Sequence, residues 1–170
     1  MTTSMRHSSH RELHEIHELR EPREGTRAET RAETRAAPPH PHILIVDDDQ
    51  DIRETLRFAL EDEGYEVYEA EDGAEALTML RKSAQPFVVV LDLRMPRLTG
   101  DALLRRVSKK EHLPAKHTFL LVTANHELLS PVSMRLLERM DVPVVAKPFD
   151  LNDLLGLVAR AADTLGGAAM

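Results

Sequence analysis

The sequence predicts an α/β fold, in which helices cover both faces of a doubly wound parallel sheet. Two observations predict it. From residue 43 onward, five strand-like segments alternate with five segments of helical periodicity, the order that produces parallel strands joined by right-handed crossovers. Most of these strand segments are continuously apolar, as strands buried on both faces are. The length of 170 residues fits one domain.

The strand segments are short and of two kinds. The second in chain order, Tyr65–Ala70, is weaker: it alternates Tyr, Val and Glu on one face with Glu, Tyr and Ala on the other, which suits a strand nearer an edge. The other four are uninterrupted apolar runs, predicted to be buried on both faces: Ile43–Val46, Phe87–Leu91, Phe119–Val122 and Val144–Ala146.

Helical periodicity separates the strands. Gly64 supplies a C-terminal stop for the first helix, Pro131 must lie at or before the first turn of the fourth, and Asp150 is the expected N-cap of the fifth. The apolar positions that indicate the five helices are Ile52, Leu56, Ala59 and Leu60; Ala76, Leu77 and Leu80; Leu103, Leu104 and Val107; Met134, Leu137 and Met140; and Leu151, Leu154, Leu155 and Val158.

Residues 1–42 are predicted to be a disordered, low-complexity tail, followed by a folded domain over residues 43–165 and a flexible C-terminus at 166–170. No aromatic residue precedes position 43, and residues 26–36 repeat Thr-Arg-Ala-Glu. The repeat places like charges at i,i+4, which weakens a helix.

The tail is also rich in histidine. Three of its histidines could share a helix face and bind a divalent metal, but a solvated, disordered segment is the preferred interpretation. The three histidines are His10, His14 and His17.

Charge and composition exclude several classes of function. Seven arginines balance seven glutamates in residues 1–42, so the folded part carries the whole net charge of −7 and has no basic footprint for nucleic acid. The absence of cysteine excludes disulfides and thiolate chemistry. Apolar runs are too short to span a membrane and the N-terminus lacks an apolar leader, so we expect a cytoplasmic protein with no membrane partner.

Polar residues follow four of the predicted strands. Ligands bind at the carboxyl ends of strands in an open parallel sheet, and carboxylates gathered there repel unless a cation neutralises them. Mg²⁺ prefers such oxygen ligands, and a carboxylate beside it can attack a phosphoryl group. The lysine and threonine at these ends could then neutralise and hydrogen-bond the added oxygens. The residues are Asp47, Asp48 and Asp49, then Asp92, Thr123 and Lys147.

Residues 43–165 resemble the receiver domain of two-component response regulators, in the stand-alone, chemotaxis-receiver-like form. The matching stretches are Ile43–Asp49, Val90–Pro96 with Gly100, Val122–Ala124 and Lys147–Phe149. Each match is a weak signal alone, but all four stretches occur in order and each lies at the end of a predicted strand, which makes the combined signal specific. The resemblance implies a flavodoxin-like sheet of strand order 2-1-3-4-5 with five helices.

The resemblance also implies a role for each matching residue. Asp92 would be the phosphoacceptor, Thr123 the switch hydroxyl and Lys147 the contact to the phosphoryl group. Mg²⁺ or Mn²⁺ would be held by Asp47, Asp48, Asp92 and the backbone carbonyl of Arg94.

Three positions would modulate the site. Arg94 and Asn125 border the path of the hydrolytic water in the family. Val144 stands where receivers usually carry an aromatic residue coupled to the threonine, so the transmission of phosphorylation to an output surface departs from the usual pattern.

The implied function is phosphoryl acceptance from a sensor histidine kinase or a histidine phosphotransfer protein. We expect no output domain after the last predicted helix, and therefore signalling by contact with a downstream protein or onward phosphotransfer, without enzymatic activity beyond self-catalysed phosphorylation and hydrolysis. A homodimer through the last helices is a further expectation. Two alternatives stay open: a haloacid-dehalogenase-type phosphatase using Asp47 and Asp49, and an interaction module that is not phosphorylated.

Overall fold

The computed structural model describes residues 41–110, 113–125, 127 and 129–167, all within one compact unit. The predictions for residues 1–40, including the histidine-rich segment, and for residues 168–170 lie outside the described residues. The first strand begins at His42, one residue before the predicted boundary of the domain.

Five strands form one parallel sheet in the order β2-β1-β3-β4-β5, which confirms the predicted topology. The inner strands β1, β3 and β4 are almost wholly buried because helices cover both of their faces. The alternating segment is an edge strand, as predicted, although it is two residues shorter than expected. The strands are β1 (His42–Val46), β2 (Val67–Ala70), β3 (Phe87–Asp92), β4 (Thr118–Thr123) and β5 (Val144–Ala146).

Successive side chains of the central strand β3 point to opposite faces and enter two separate apolar clusters. Val89 and Leu91 pack in one cluster with the apolar sides of α2, α3 and α5. Val88 and Val90 pack in the other with those of α1 and α6. The helices are α1 (Gln50–Asp62), α2 (Gly73–Lys82), α3 (Gly100–Ser108), α4 (Leu113–Lys116), α5 (Pro131–Arg139) and α6 (Leu151–Gly167).

The helix ends follow signals in the local sequence. Asp150 accepts hydrogen bonds from two backbone N–H groups in the first turn of α6, which confirms the predicted N-cap. Pro131 is the first residue of α5. Gly64 has φ of 85° just after α1, and the next residue, Tyr65, donates its N–H to the carbonyl of Leu60. This is a Schellman ending, and it explains why the helix stops there.

Three features differ from the sequence-based expectation. The prediction that β5 is buried on both faces is wrong: Val144 is 40% exposed, because β5 is a short edge strand paired only with β4. On α5, Met134 is also exposed, and Leu136 lies beside Leu137 on the buried side. The one-turn helix α4 is additional to the five predicted helices.

Among the described residues, no helix is both long enough and apolar enough to cross a lipid bilayer.

Candidate functional site

The carboxyl ends of four strands bring the predicted polar side chains to one edge of the sheet. Asp92 is the last residue of β3 and Thr123 the last of β4, while Asp47 and Lys147 directly follow β1 and β5. The strand register keeps these ends level. The residue before Asp47 pairs with the residue before Asp92, and Thr123 pairs with the residue before Lys147. The backbone itself therefore assembles the site.

Lys147 bridges two buried carboxylates. Its Nζ lies 2.7 Å from Oδ2 of Asp47 and 3.0 Å from Oδ1 of Asp92. The side chain of Lys147 is 18% exposed, and those of the two aspartates are 6% and 8% exposed. Charges at this depth interact more strongly than surface pairs, and each needs its partner because water cannot solvate it fully.

Backbone N–H groups hold the other oxygen of each buried carboxylate. The N–H of Asp49 donates to Oδ1 of Asp47 at 2.9 Å, and the N–H of Arg94 donates to Oδ2 of Asp92 at 2.7 Å. In each carboxylate, one oxygen thus accepts a hydrogen bond from a backbone N–H group and the other contacts the Lys147 ammonium group. Both are oriented before any ligand arrives, which lowers the cost of binding one.

Burial and charge act on ionisation in opposite directions at this site. Burial raises the pKa of Asp92, and the charge of Asp47 adds to this, while Lys147 and the Arg94 N–H lower it in part. Burial alone would lower the pKa of Lys147, but its hydrogen bonds and charge interactions with both carboxylates outweigh burial and raise it. Lys147 is therefore an ammonium ion at neutral pH.

A third carboxylate, that of the exposed Asp48, completes an acidic cluster at the mouth of the site. Carboxylate oxygens of Asp47, Asp48 and Asp92 all lie within 4.8 Å of one another. One ammonium ion faces three carboxylates, so the cluster keeps an excess of negative charge. Hard oxygen donors of this kind suit Mg²⁺ or Mn²⁺, and the residues present fit such an ion. The carbonyl of Arg94 remains a predicted ligand.

Thr123 lies buried at the end of β4, with 1% of its surface exposed. Its Oγ1 accepts a hydrogen bond from the N–H of Asn125 at 3.1 Å, and a hydroxyl that accepts still has its own proton to donate. The carbonyl of Thr123 accepts from the N–H of Lys147 at 2.8 Å, which ties the ends of β4 and β5 together. The modulator positions Arg94 and Asn125 are exposed beside this site.

Gly100 allows the start of α3 to approach the backbone of Asp92. A Cβ at this position would lie 2.3 Å from the carbonyl oxygen of Asp92, a separation that real Cβ atoms do not reach. The N–H of Gly100 donates to the carbonyl of Leu93 at 3.0 Å. Gly100 belongs to one of the stretches that carry the resemblance. The close backbone contact with Asp92 is a physical reason for a glycine at this position.

Sequence reasoning missed Arg53, which supports the site. Nη1 of Arg53 donates to the carbonyl of Asp47 at 2.8 Å, and its Nε pairs with Glu69 of β2 at 3.2 Å. The side chain of Arg53 is only 14% exposed. An arginine on an amphipathic helix has the pattern of a solvent-facing residue, so the sequence offered no signal for this contact.

The comparisons assign the class of protein. The profile of the response regulator receiver domain matches residues 43–159, which is most of the chain. The chain therefore belongs to the response regulator receiver family of two-component systems, as the motifs predicted.

Particular relatives agree with this assignment. Response regulator MprA of Mycobacterium sp. strain KMS is 40% identical over 114 residues, which cover 66% of this chain and 46% of the relative. The chain thus spans about half the length of the curated relatives it matches.

Two solved structures show the same fold. Chemotaxis protein CheY4 of Vibrio cholerae is 30% identical, with a TM-score of 0.60 over 72% of this chain and 98% of that one. Response regulator TrrA of Thermotoga maritima, solved in complex with Mg²⁺ and BeF, is 31% identical, with a TM-score of 0.59 over 71% and 98%.

Proposed function

We propose that this receiver domain accepts a phosphoryl group on Asp92 from a sensor histidine kinase or a histidine phosphotransfer protein. The observation that carries the proposal is the Lys147 bridge between Asp47 and Asp92 inside the acidic cluster. A carboxylate held by a lysine, next to oxygen donors for a divalent ion, has the groups that phosphoryl transfer needs. Asp92 is the carboxylate at the end of the central strand.

In the proposed reaction, an oxygen of Asp92 attacks the phosphorus of a phosphohistidine. A P–O bond forms while the P–N bond breaks, and the imidazole leaves and takes a proton from solvent. Lys147 offers positive charge to the transferred oxygens, and Thr123 offers its hydroxyl proton. Mg²⁺ or Mn²⁺, when bound, neutralises the charge shared by the aspartates and the phosphoryl group. In the later hydrolysis, water attacks the phosphorus, the bond between phosphorus and the Asp92 oxygen breaks, and inorganic phosphate and a proton are released while Asp92 returns to a carboxylate.

Membership of the response regulator receiver family supports a phosphodonor kinase as the partner, and one solved relative supports the cofactor. TrrA was solved with Mg²⁺ and BeF, and BeF mimics a phosphoryl group. We propose Mg²⁺ or Mn²⁺ as the cofactor, self-catalysed phosphorylation and hydrolysis as the only chemistry, and a cytoplasmic location, where a kinase has access to ATP. We propose no nucleic-acid or membrane partner for this chain.

The output surface is proposed to be the face formed by α5, β5 and α6. Val132 and Met134 of α5 are 57% and 41% exposed, and Val144 of the edge strand β5 is 40% exposed. A cleft of about 610 Å³ lies along this face and includes Met134 and Val144. Exposed apolar side chains around a cleft favour contact with a protein, either a downstream target or a second copy of this chain.

The phosphatase alternative lacks its second aspartate. An Asp-x-Asp motif would need Asp47 and Asp49 in one site, but the carboxylate of Asp49 accepts hydrogen bonds from the N–H groups of Asp51 and Ile52 as the N-cap of α1. It is not a member of the acidic cluster. That mechanism would also leave Asp92 without a role.

Labelling with acetyl phosphate and Mg²⁺ tests the proposal. We expect the wild-type chain to gain one acid-stable, base-labile phosphoryl group and Asp92→Asn to gain none. Asp49→Asn is the matched control. It removes one negative charge, as Asp92→Asn does, and asparagine can still cap α1. This variant should be labelled like the wild-type chain. Equal labelling of Asp92→Asn would contradict the assignment. Turnover of a generic phosphate ester that is lost in Asp47→Asn but kept in Asp92→Asn would favour the phosphatase.

A further inference from the structure

Arg97 lies in the loop between β3 and α3 and reaches across to α2. Its backbone is in the left-handed region, with φ of 62°. Nη2 of Arg97 lies 2.9 Å from Oε1 of Glu71, and its Nε pairs with Oδ2 of Asp72. Both partners immediately precede α2, so a single side chain ties the loop to the start of that helix.

Asp72 is a buried carboxylate that needs this partner. Its side chain is 2% exposed. Oδ1 caps α2 by accepting from the N–H groups of Ala74 and Glu75 at 2.6 and 2.9 Å. Oδ2 is the oxygen that Arg97 binds. The side chain of Arg97 is 61% exposed, so this ion pair is buried on the side of Asp72 alone. Losing it would leave Oδ2 of a buried carboxylate without this charged partner, which costs more than losing an ion pair between two exposed groups.

The backbone of the loop is fitted against α2 as well. The N–H of Gly73 donates to the carbonyl of Leu98 at 3.2 Å, and a Cβ at Gly73 would lie only 2.5 Å from that oxygen. Leu98 is buried. The residue after Arg97 therefore also holds the loop against the start of α2.

The same loop forms one wall of the candidate site. It starts directly after Asp92, and the N–H of Arg94 in this loop donates to Oδ2 of that carboxylate. Residues 93–96 of the loop line a cleft of about 540 Å³ together with Asp48. A shift of the loop would therefore move the backbone that faces the acidic cluster.

We propose that Arg97 is a positioning residue for the divalent-cation site. By pairing with Asp72 and Glu71, it holds the β3–α3 loop in the conformation that presents the backbone around Arg94 to the acidic cluster. The inference rests on the proposed function, because it assumes that the cluster binds a divalent ion. Without the pair, part of the binding free energy would be spent on ordering the loop.

Charge and positioning predict opposite changes when Arg97 is replaced. Removing a positive charge from the neighbourhood of an acidic cluster strengthens cation binding by Coulomb's law. Releasing the loop weakens cation binding. The direction of the change in affinity therefore distinguishes the two effects.

The test measures Mn²⁺ binding to the full chain, with free Mn²⁺ followed by its electron paramagnetic resonance signal. Arg97→Gly removes the guanidinium, and glycine adopts the left-handed backbone without strain. We expect its dissociation constant for Mn²⁺ to rise about three- to tenfold, at or below the lower end of the effect seen when groups that orient metal ligands are removed. Arg97→Lys can reach one carboxylate and should be intermediate. Arg81→Ala, at the exposed far end of α2, is the charge-matched control and should not weaken binding.

Urea unfolding of the same variants separates positioning from stability. A lower unfolding midpoint with an unchanged dissociation constant would overturn the proposal, since Arg97 would then only stabilise the fold. Equal or tighter Mn²⁺ binding by Arg97→Gly would overturn it too. A wild-type chain that binds no Mn²⁺ would instead contradict the proposed function, so the two failures are distinguishable.

Discussion

Gly100→Ala should damage both the fold and the site. The new Cβ would lie 2.3 Å from the carbonyl oxygen of Asp92, whereas carbon and oxygen atoms in close contact lie about 3.3 Å apart. The backbone of Asp92 or the start of α3 must therefore move by about 1 Å. Overpacking of this kind costs about 1–3 kcal/mol, and the higher helix propensity of alanine returns at most about 1 kcal/mol. With a central cost of about 2 kcal/mol and a return of up to about 1 kcal/mol, we expect a net loss of about 1–2 kcal/mol in the free energy of unfolding.

Gly156→Ala is the matched control. Its Cβ would meet only Nη1 of Arg160, at 3.8 Å, so alanine in this helix interior should stabilise the protein by about 0.5–1 kcal/mol. Urea unfolding followed by circular dichroism measures both free energies, and initial rates of labelling by acetyl phosphate measure the effect on Asp92. A displacement of about 1 Å should slow labelling of Gly100→Ala by tenfold or more. Equal stability and equal labelling rates for the two variants would refute the reasoning.

Three further predictions concern the charge of the acidic cluster, the access of water to the site, and the carboxylate of Asp101 on α3. Asp48→Ala should weaken Mg²⁺ binding and labelling while stabilising the ion-free fold, because crowded like charges are relieved; normal Mg²⁺ affinity in a titration would contradict it. Arg94→Ala and Asn125→Ala should each change the rate of dephosphorylation, and unchanged decay of the labelled protein would refute this. Burial works to raise the pKa of Asp101, but hydrogen bonds from Thr99 and Ser133 and the charge of Arg105 outweigh it and lower the pKa. The stability it contributes is therefore present above its unfolded pKa and lost as the pH falls through its folded pKa, so Asp101→Asn should flatten the acid limb of unfolding free energy against pH; an unaltered limb would contradict this.

Local signals in the sequence predicted most of the fold. Continuous apolar runs indicated the inner strands, because burial on both faces leaves no room for polar alternation. Gly64 and Asp150 marked helix ends through interactions within a few residues. The exposure of Val144 was not predicted, since a three-residue apolar strand has the same pattern at an edge as in the centre of a sheet.

The candidate site was predictable to the extent that strand ends define it. Asp47, Asp92 and Lys147 follow apolar runs, and parallel strands align their ends, so their meeting could be inferred before any contact was known. The contact of Arg97 with Asp72 could not be inferred. Those residues lie 25 positions apart on two loops whose separation depends on the packing of α2 against α3, and no local pattern encodes that distance.

Mapping the phosphorylated residue tests the central claim most directly. The chain would be labelled with acetyl phosphate and Mg²⁺, reduced with borohydride to convert an aspartyl phosphate to homoserine, and analysed by peptide mass spectrometry. The proposed function predicts homoserine at position 92 alone, with no conversion when Mg²⁺ is removed by chelation. Conversion at Asp47 or Asp48 in place of Asp92, or a wild-type chain that remains unmodified while its fold is intact, would contradict it.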